Sequence, residues 1–256
     1  MDNRIPLPIA VVDSGVGGIS VLRELVKIMP HERFLYLGDS KNAPYGSKSR
    51  ADVLKIMREN LDFLKKRGIK ALVIACNTAT SAAAATLRAE NPDLPILGIE
   101  PAIKPAAMLK DHPRVLVMAT PLTLAEEKFL TLAKRFEDKA KFISLPCENL
   151  AKMIEEGDLE SAPMRAYLAE LLSPYEKERI DAVVLGCTHY PHVKHLIAAH
   201  FPDTPILDGG EGTARETRRR LESLGLLRDS GEGDVLILNT STDENMIEIS
   251  KKLLYR

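Results

Sequence analysis

The sequence predicts an α/β protein: two similar, pseudo-symmetric α/β domains with mainly parallel sheets and an active site in the cleft between them. Three observations predict this. Strand-length apolar runs alternate with helical patterns along almost all of the 256 residues, the order that builds a parallel sheet. The runs are β-branched and continuous rather than alternating, as strands buried on both faces are. Finally, the sequence repeats itself. Residues 70–76 (KALVIAC) are echoed by 181–187 (DAVVLGC), and residues 91–97 (NPDLPIL) by 201–207 (FPDTPIL). The register slips by one residue, as it would if Asn77 had no counterpart in the second copy. Upstream, 9–14 and 115–120 correspond as well, each a strand ending in a hydroxyl residue.

In order along the chain, strands are expected at 9–13, 34–38, 71–75, 96–99, 115–119, 142–145, 182–186 and 235–239. Helices fit between them, for example 49–67, closed by Gly68 as a C-terminal cap, and 122–136. The repeat divides the chain into a first domain, 1–98, and a second, 99–208. The remaining 209–256 adds a helix, a strand and a helix that return to the first domain. In sheets of this kind ligands sit beyond the carboxyl ends of the strands, so the residues just after each strand are the first candidates for function.

Composition narrows the class. The hydrophobic fraction of 45% and charged fraction of 28% are those of a globular protein. A net charge of -1 carries no basic surplus for phosphate contacts, so a nucleic-acid partner is not expected. Arg218, Arg219 and Arg220 lie between Glu216 and Glu222 and read as a solvated helix face. The opening residues, with Asp2, Arg4 and two prolines, do not make a signal-peptide core. No apolar run approaches the roughly 20 residues of a membrane helix, and no membrane partner is expected. An odd count of three cysteines points to reduced thiols in the cytoplasm rather than a disulfide framework. Apart from His189, nothing stands at zinc-ligand spacing from Cys76 or Cys187, so no metal is expected.

Two strand-to-helix turns present a cysteine near a threonine, Cys76-Asn77-Thr78 and Cys187-Thr188-His189. A thiol at a helix N-terminus feels a partial positive charge that lowers its pKa from about 8.5 toward neutrality. Two such thiols on opposite sides of a cleft can remove a proton from one face of a carbon and return one to the other. That inverts a stereocentre. A single cysteine would suggest a nucleophile instead; the symmetry favours acid–base work. Asn77, Thr78 and Thr188 offer amide and hydroxyl donors suited to a carboxylate. His189 can relay a proton with Cys187, and Asp13 can hold an ammonium group or orient Cys76. Cys147 has no echo and reads as a core residue. His31, His112, His192, His195 and His200 read as exposed or helix-surface residues.

The turn after the first strand, Asp13-Ser14-Gly15-Val16-Gly17-Gly18, with Asp39 after the next strand, is similar to a dinucleotide fingerprint. Ser20 replaces its third glycine, however, and Asp13 would stand beside the pyrophosphate. The glycines are better read as letting backbone amides approach a small substrate. Pro44-Tyr45-Gly46, beyond the second strand, is a rigid turn whose amides suit a second carboxylate.

Together these segments resemble glutamate racemase, of the cofactor-independent aspartate/glutamate racemase superfamily. The resemblance rests on residues 13–18 (DSGVGG), 44–46 (PYG), 76–79 (CNTA) and 186–191 (GCTHYP), in that order, and spans the chain. Relatives acting on aspartate usually carry Glu where this chain has His189. The resemblance implies that Cys76 deprotonates D-glutamate and Cys187 L-glutamate, assisted by Asp13 and His189 respectively. It implies that Asn77, Thr78 and Thr188 hold the α-carboxylate and ammonium end, and that Ser14, Tyr45 and Gly46 hold the side-chain carboxylate. Glu100 matches an acid behind the site; Thr120 and Thr123 also fit the family. Residues 126, 128 and 129 (Glu, Lys, Phe) depart from its usual Ser, Ala and Tyr, and the surroundings of Cys147 are atypical. The expected enzyme needs no cofactor, takes glutamate as substrate, forms a homodimer, and supplies D-glutamate for peptidoglycan. Aspartate racemisation, a non-catalytic two-lobed binder of a small acid, and a cysteine-nucleophile hydrolase are the other readings the residues leave open.

Overall fold

The computed structural model describes residues 3–256; Asp2 lies outside them, as does the side chain of Lys128. The chain opens with β1 (Ile9–Asp13), α1 (Ile19–Ile28), β2 (Arg33–Gly38), α2 (Arg50–Lys65), β3 (Ala71–Ile74), α3 (Asn77–Glu90) and β4 (Ile96–Gly98). It continues through α4 (Ile103–Ala107), β5 (Arg114–Ala119), α5 (Pro121–Ala125), α6 (Glu127–Lys134), β6 (Lys141–Pro146), α7 (Leu150–Glu155) and α8 (Ala162–Leu172). Then come β7 (Ala182–Leu185), α9 (Lys194–His200), β8 (Ile206–Asp208), α10 (Gly210–Ser223), β9 (Asp234–Asn239) and α11 (Asn245–Leu254). Two compact units result, Met1–Glu100 with Gly210–Arg256, and Pro101–Gly209.

In the first unit five strands are ordered β4-β3-β1-β2-β9, and every pair is parallel. β9 pairs with β2, so the C-terminal segment completes this sheet. The second unit has four parallel strands ordered β6-β5-β7-β8. Read from β8, this is the order of the first sheet without its last strand. β1 thus corresponds to β5, β2 to β6, β3 to β7 and β4 to β8.

Apart from Arg33 at the start of β2, the central strands have no exposed residue, because helices cover both of their faces. In the first unit Val12, Leu37, Leu72 and Ile74 pack with Leu61 and Leu64 of α2 and with Ala83 and Leu87 of α3. In the second, Leu116, Met118 and Val183 pack with Leu168 of α8 and Ile197 of α9. The opposite face sets Val115, Val117 and Val184 against Ile103 of α4 and Phe129 of α6. α2 begins where Ser49 caps it, accepting from the Asp52 N–H at 3.1 Å, and is followed by Gly68 at φ 73°.

Three expectations are corrected. β6 and β9 are edge strands and not buried on both faces; Leu236 is 54% exposed, because helices cover a sheet least at its margins. β8 is a ninth strand, as short as its counterpart β4. The single helix at 122–136 is two, broken at Glu126, whose backbone is extended (φ -69°, ψ 133°). Thr123 and Phe129, both buried, are six positions apart and would face different ways on one continuous helix; the break turns both inward.

Candidate functional site

Parallel strands place the candidate residues of each unit at one end of its sheet. In the first unit Asp13 ends β1 and is buried, its Oδ1 accepting from the Gly15 N–H at 3.1 Å. Ser14, also buried, follows it. Cys76 follows β3 by two residues and is the N-cap of α3, its sulfur accepting from the Ala79 N–H at 3.5 Å. Gly18 explains how α1 comes so near: a Cβ there would stand 2.5 Å from Asp13 Cβ and 3.0 Å from Ala75 Cβ. Thr78 is buried, and Asn77 Oδ1 is a buried oxygen with no hydrogen-bond partner among the described residues.

Tyr45 and Gly46 lie in a 3-10 turn, Tyr45–Ser47, after the cis Ala43–Pro44 peptide. The Tyr45 ring packs in the same cluster as Cys76 and Ala79. Burial first, then the charge of Asp39, and more weakly those of Cys76 and Asp13, raise its phenol well above the ordinary tyrosine range. Asp39 itself is fully buried and accepts hydrogen bonds from Tyr45, Asn42, Asn60 and Thr240. A carboxylate so committed is not available to a ribose, which agrees with rejecting a dinucleotide role.

The second unit repeats the arrangement with other residues. The Gly186 N–H donates to the Met118 carbonyl as that of Ala75 donates to Val12, so Cys187 holds the place of Cys76. Thr120 holds the place of Ser14. It caps α5, accepting from the Thr123 N–H at 3.3 Å, and the two hydroxyls are 2.9 Å apart. The Cys147 N–H donates to Ala119 as that of Asp39 donates to Asp13. Cys147 therefore does have an echo, in position but not in residue type, which sequence comparison could not reveal. Its thiol is fully buried and pushed up to about 12 by burial, as befits a core residue.

The second cysteine turn departs from expectation. Cys187 is followed not by an α-helix but by a turn and a 3-10 segment, Tyr190–Val193, and α9 starts only at Lys194. Pro191 at the start of that segment suits a tight turn. In place of a helix terminus, Cys187 has His189: Sγ is 3.6 Å from Nδ1, and Nε2 is 2.7 Å from Glu155 Oε2 at the end of α7. Burial opposes a charge on this ring, but the bonds to Cys187 and Glu155 outweigh it and raise the His189 pKa well above 6.5. Glu155 was missed because nothing in its spacing from His189, 34 residues away, marks it. Thr188 is buried beside this group, and Glu100 is exposed at the end of the first unit. Of the other histidines, His192 is buried, against expectation, because the 3-10 segment turns it inward; His31, His112 and His195 are exposed, and His200 is half-buried beside Glu176.

A repeated α/β protein with a thiol at matching strand ends of each unit is thus defined. Residues 9–217 match the Asp/Glu/Hydantoin racemase family, and the chain belongs to it. The chain is 48% identical to the glutamate racemase of Clostridium acetobutylicum over 96% of its own length and 97% of that protein. Its structure superposes on the Francisella tularensis glutamate racemase in complex with D-glutamate with a TM-score of 0.84 and 29% identity, covering 98% of this chain and 95% of that one. The Escherichia coli glutamate racemase, in complex with L-glutamate and the activator UDP-MurNAc-ala, also gives 0.84, at 30% identity over 97% and 93% of the chains. Among the described residues no helix is long and apolar enough to cross a membrane.

Proposed function

We propose that this protein interconverts L- and D-glutamate by two-base proton transfer and supplies D-glutamate for peptidoglycan. The observation that carries the reading is the matched placement of Cys76 and Cys187 by equivalent backbone bonds in the two units. One thiolate takes the Cα proton from one face; the resulting carbanion receives a proton from the other thiol on the opposite face. No net proton is consumed, and the two sulfurs exchange protonation states. Cys76 acts on D-glutamate and Cys187 on L-glutamate.

The helpers differ by side. Cys76 has the N-terminus of α3, where the helix dipole favours a thiolate, and Asp13. Cys187 has the charged His189, placed to pass it a proton and held by Glu155. Asn77, Thr78 and Thr188 receive the amino-acid head; the unpartnered Asn77 oxygen suits the ammonium group. Ser14 and the Tyr45 and Gly46 amides receive the side-chain carboxylate. Hydrogen bonds to the α-carboxylate strengthen as charge develops in the transition state. Relatives in complex with D-glutamate and with L-glutamate support the substrate, and the activator of the Escherichia coli protein supports the link to cell-wall precursors. A homodimer in the cytoplasm completes the proposal; light scattering that returns the mass of a single chain rejects the dimer.

The test is incubation of the purified protein in heavy water with either enantiomer and no added cofactor. Deuterium is expected at Cα, first in the product enantiomer; no exchange with glutamate refutes the reading. Cys76→Ser and Cys187→Ser should each reduce racemisation in both directions by about 100-fold or more. Full activity in either variant rejects the two-thiol mechanism.

A further inference from the structure

The Asp39 carboxylate connects the Tyr45 turn to a segment that lies outside the stretch matching the family. Tyr45 Oη donates to Asp39 Oδ2 at 2.6 Å, Asn60 Nδ2 donates to it at 3.1 Å, and Asn42 Nδ2 reaches both oxygens at 3.0 Å. The remaining donor is Thr240, just beyond β9, whose Oγ1 is 2.6 Å from Asp39 Oδ1. The same hydroxyl accepts from the Lys41 N–H at 3.1 Å, and the Thr240 N–H donates to the Gly38 carbonyl at 2.9 Å. Its neighbour Asn239 donates to Ser40 Oγ at 3.0 Å. The end of β9 therefore grips the connection after β2 at Ser40 and Lys41 directly and at Tyr45 through Asp39. A hydroxyl both donates and accepts here, and a methyl group can do neither.

We propose that Thr240 is a positioning residue for racemisation: through Asp39 and Tyr45 it fixes the turn whose amides receive the side-chain carboxylate of glutamate. This rests on the functional reading above. Thr240 touches no reacting atom, so its removal should weaken binding of both enantiomers alike and leave the proton transfers intact.

The experiment compares wild type, Thr240→Val and Thr240→Ser by racemase kinetics in both directions and by amide hydrogen exchange. Thr240→Val is expected to raise KM for D- and L-glutamate about tenfold with kcat within about threefold. It should speed exchange locally at 40–47, and Thr240→Ser should restore both. Wild-type KM together with wild-type exchange at 40–47 overturns the proposal, as does a fall in kcat at unchanged KM. Should Thr240→Val not fold, Tyr45→Phe cuts the same chain of bonds at its other end and carries the same expectation. Failure of the racemase reading appears in wild-type protein itself; failure of this inference appears only in the variants, and the exchange measurement reads it without turnover.

Discussion

His189 is the residue whose environment most clearly sets its chemistry. Its pKa lies well above 6.5: burial opposes the charge, and the bonds to Cys187 and Glu155 outweigh that opposition. An unfolded histidine titrates near 6.5. The stability these partners contribute is therefore complete below about 6.5 and lost as pH rises through the raised folded value. The urea midpoint of wild type should exceed that of His189→Asn most at pH 6, and the gap should shrink toward pH 9. A constant gap refutes the assignment. Glu155→Gln removes the carboxylate charge and leaves burial opposed by Cys187 alone, so the ring's pKa falls. The basic limb of the pH–rate profile should then move to lower pH, with kcat down about tenfold or more at neutral pH. An unchanged profile rejects Glu155 as the partner that holds His189 charged. The thiols, Asp13 and His189 could be recognised in the sequence because each stands in a local motif. Glu155, Asn60 and Thr240 could not, because their partners lie 34, 21 and 201 residues away with no characteristic spacing.

At the scale of elements, parallel pairing brings the scattered strand ends together, and that much was legible from continuous apolar runs and the repeat. What escaped was local. The repeat at 181–187 suggested a second helix cap, but the segment after Cys187 turns through Pro191 and places a histidine where Cys76 has a helix terminus. The break at Glu126 and the equivalence of Cys147 with Asp39 emerged only from packing and register. The contact of α1 with the sheet depends on Gly18, since an added Cβ would meet Asp13 and Ala75 at atoms fixed to the backbone. Gly18→Ala should destabilise by about 1–3 kcal/mol and also reduce kcat, because relief of the clash moves Asp13. Ser49→Ala removes the α2 cap at a cost of about 1 kcal/mol and should leave kcat alone. Chemical denaturation paired with kinetics separates the two; equal loss of kcat in both variants would reject the distinction.

At the scale of the whole molecule, function and stability occupy opposite ends of the first sheet. The candidate site lies beyond the strand ends, whereas Lys70 and Glu32 precede β3 and β2 and are completely buried, Nζ lying 2.7 Å from Glu32 Oε2. Lys70 also donates to the carbonyls of Ile5 and Leu226 at 2.8 and 2.9 Å, and the Arg228 N–H donates to Glu32 Oε1 at 2.7 Å. One buried pair thus fastens the opening segment and the connection between α10 and β9 to the start of the sheet. Burial holds the Lys70 ammonium below the ordinary lysine range even though Glu32 favours its charge. Lys70→Met would strand a buried carboxylate, and loss of one member of such a pair costs about 3–5 kcal/mol. The double variant Lys70→Met/Glu32→Gln removes both charges and should recover part of that loss. Because the pair stands at the far ends of the strands, kcat/KM measured well below the melting transition should stay close to wild type in both variants. A single variant as stable as wild type, or one that folds fully yet loses turnover, would refute this separation of roles.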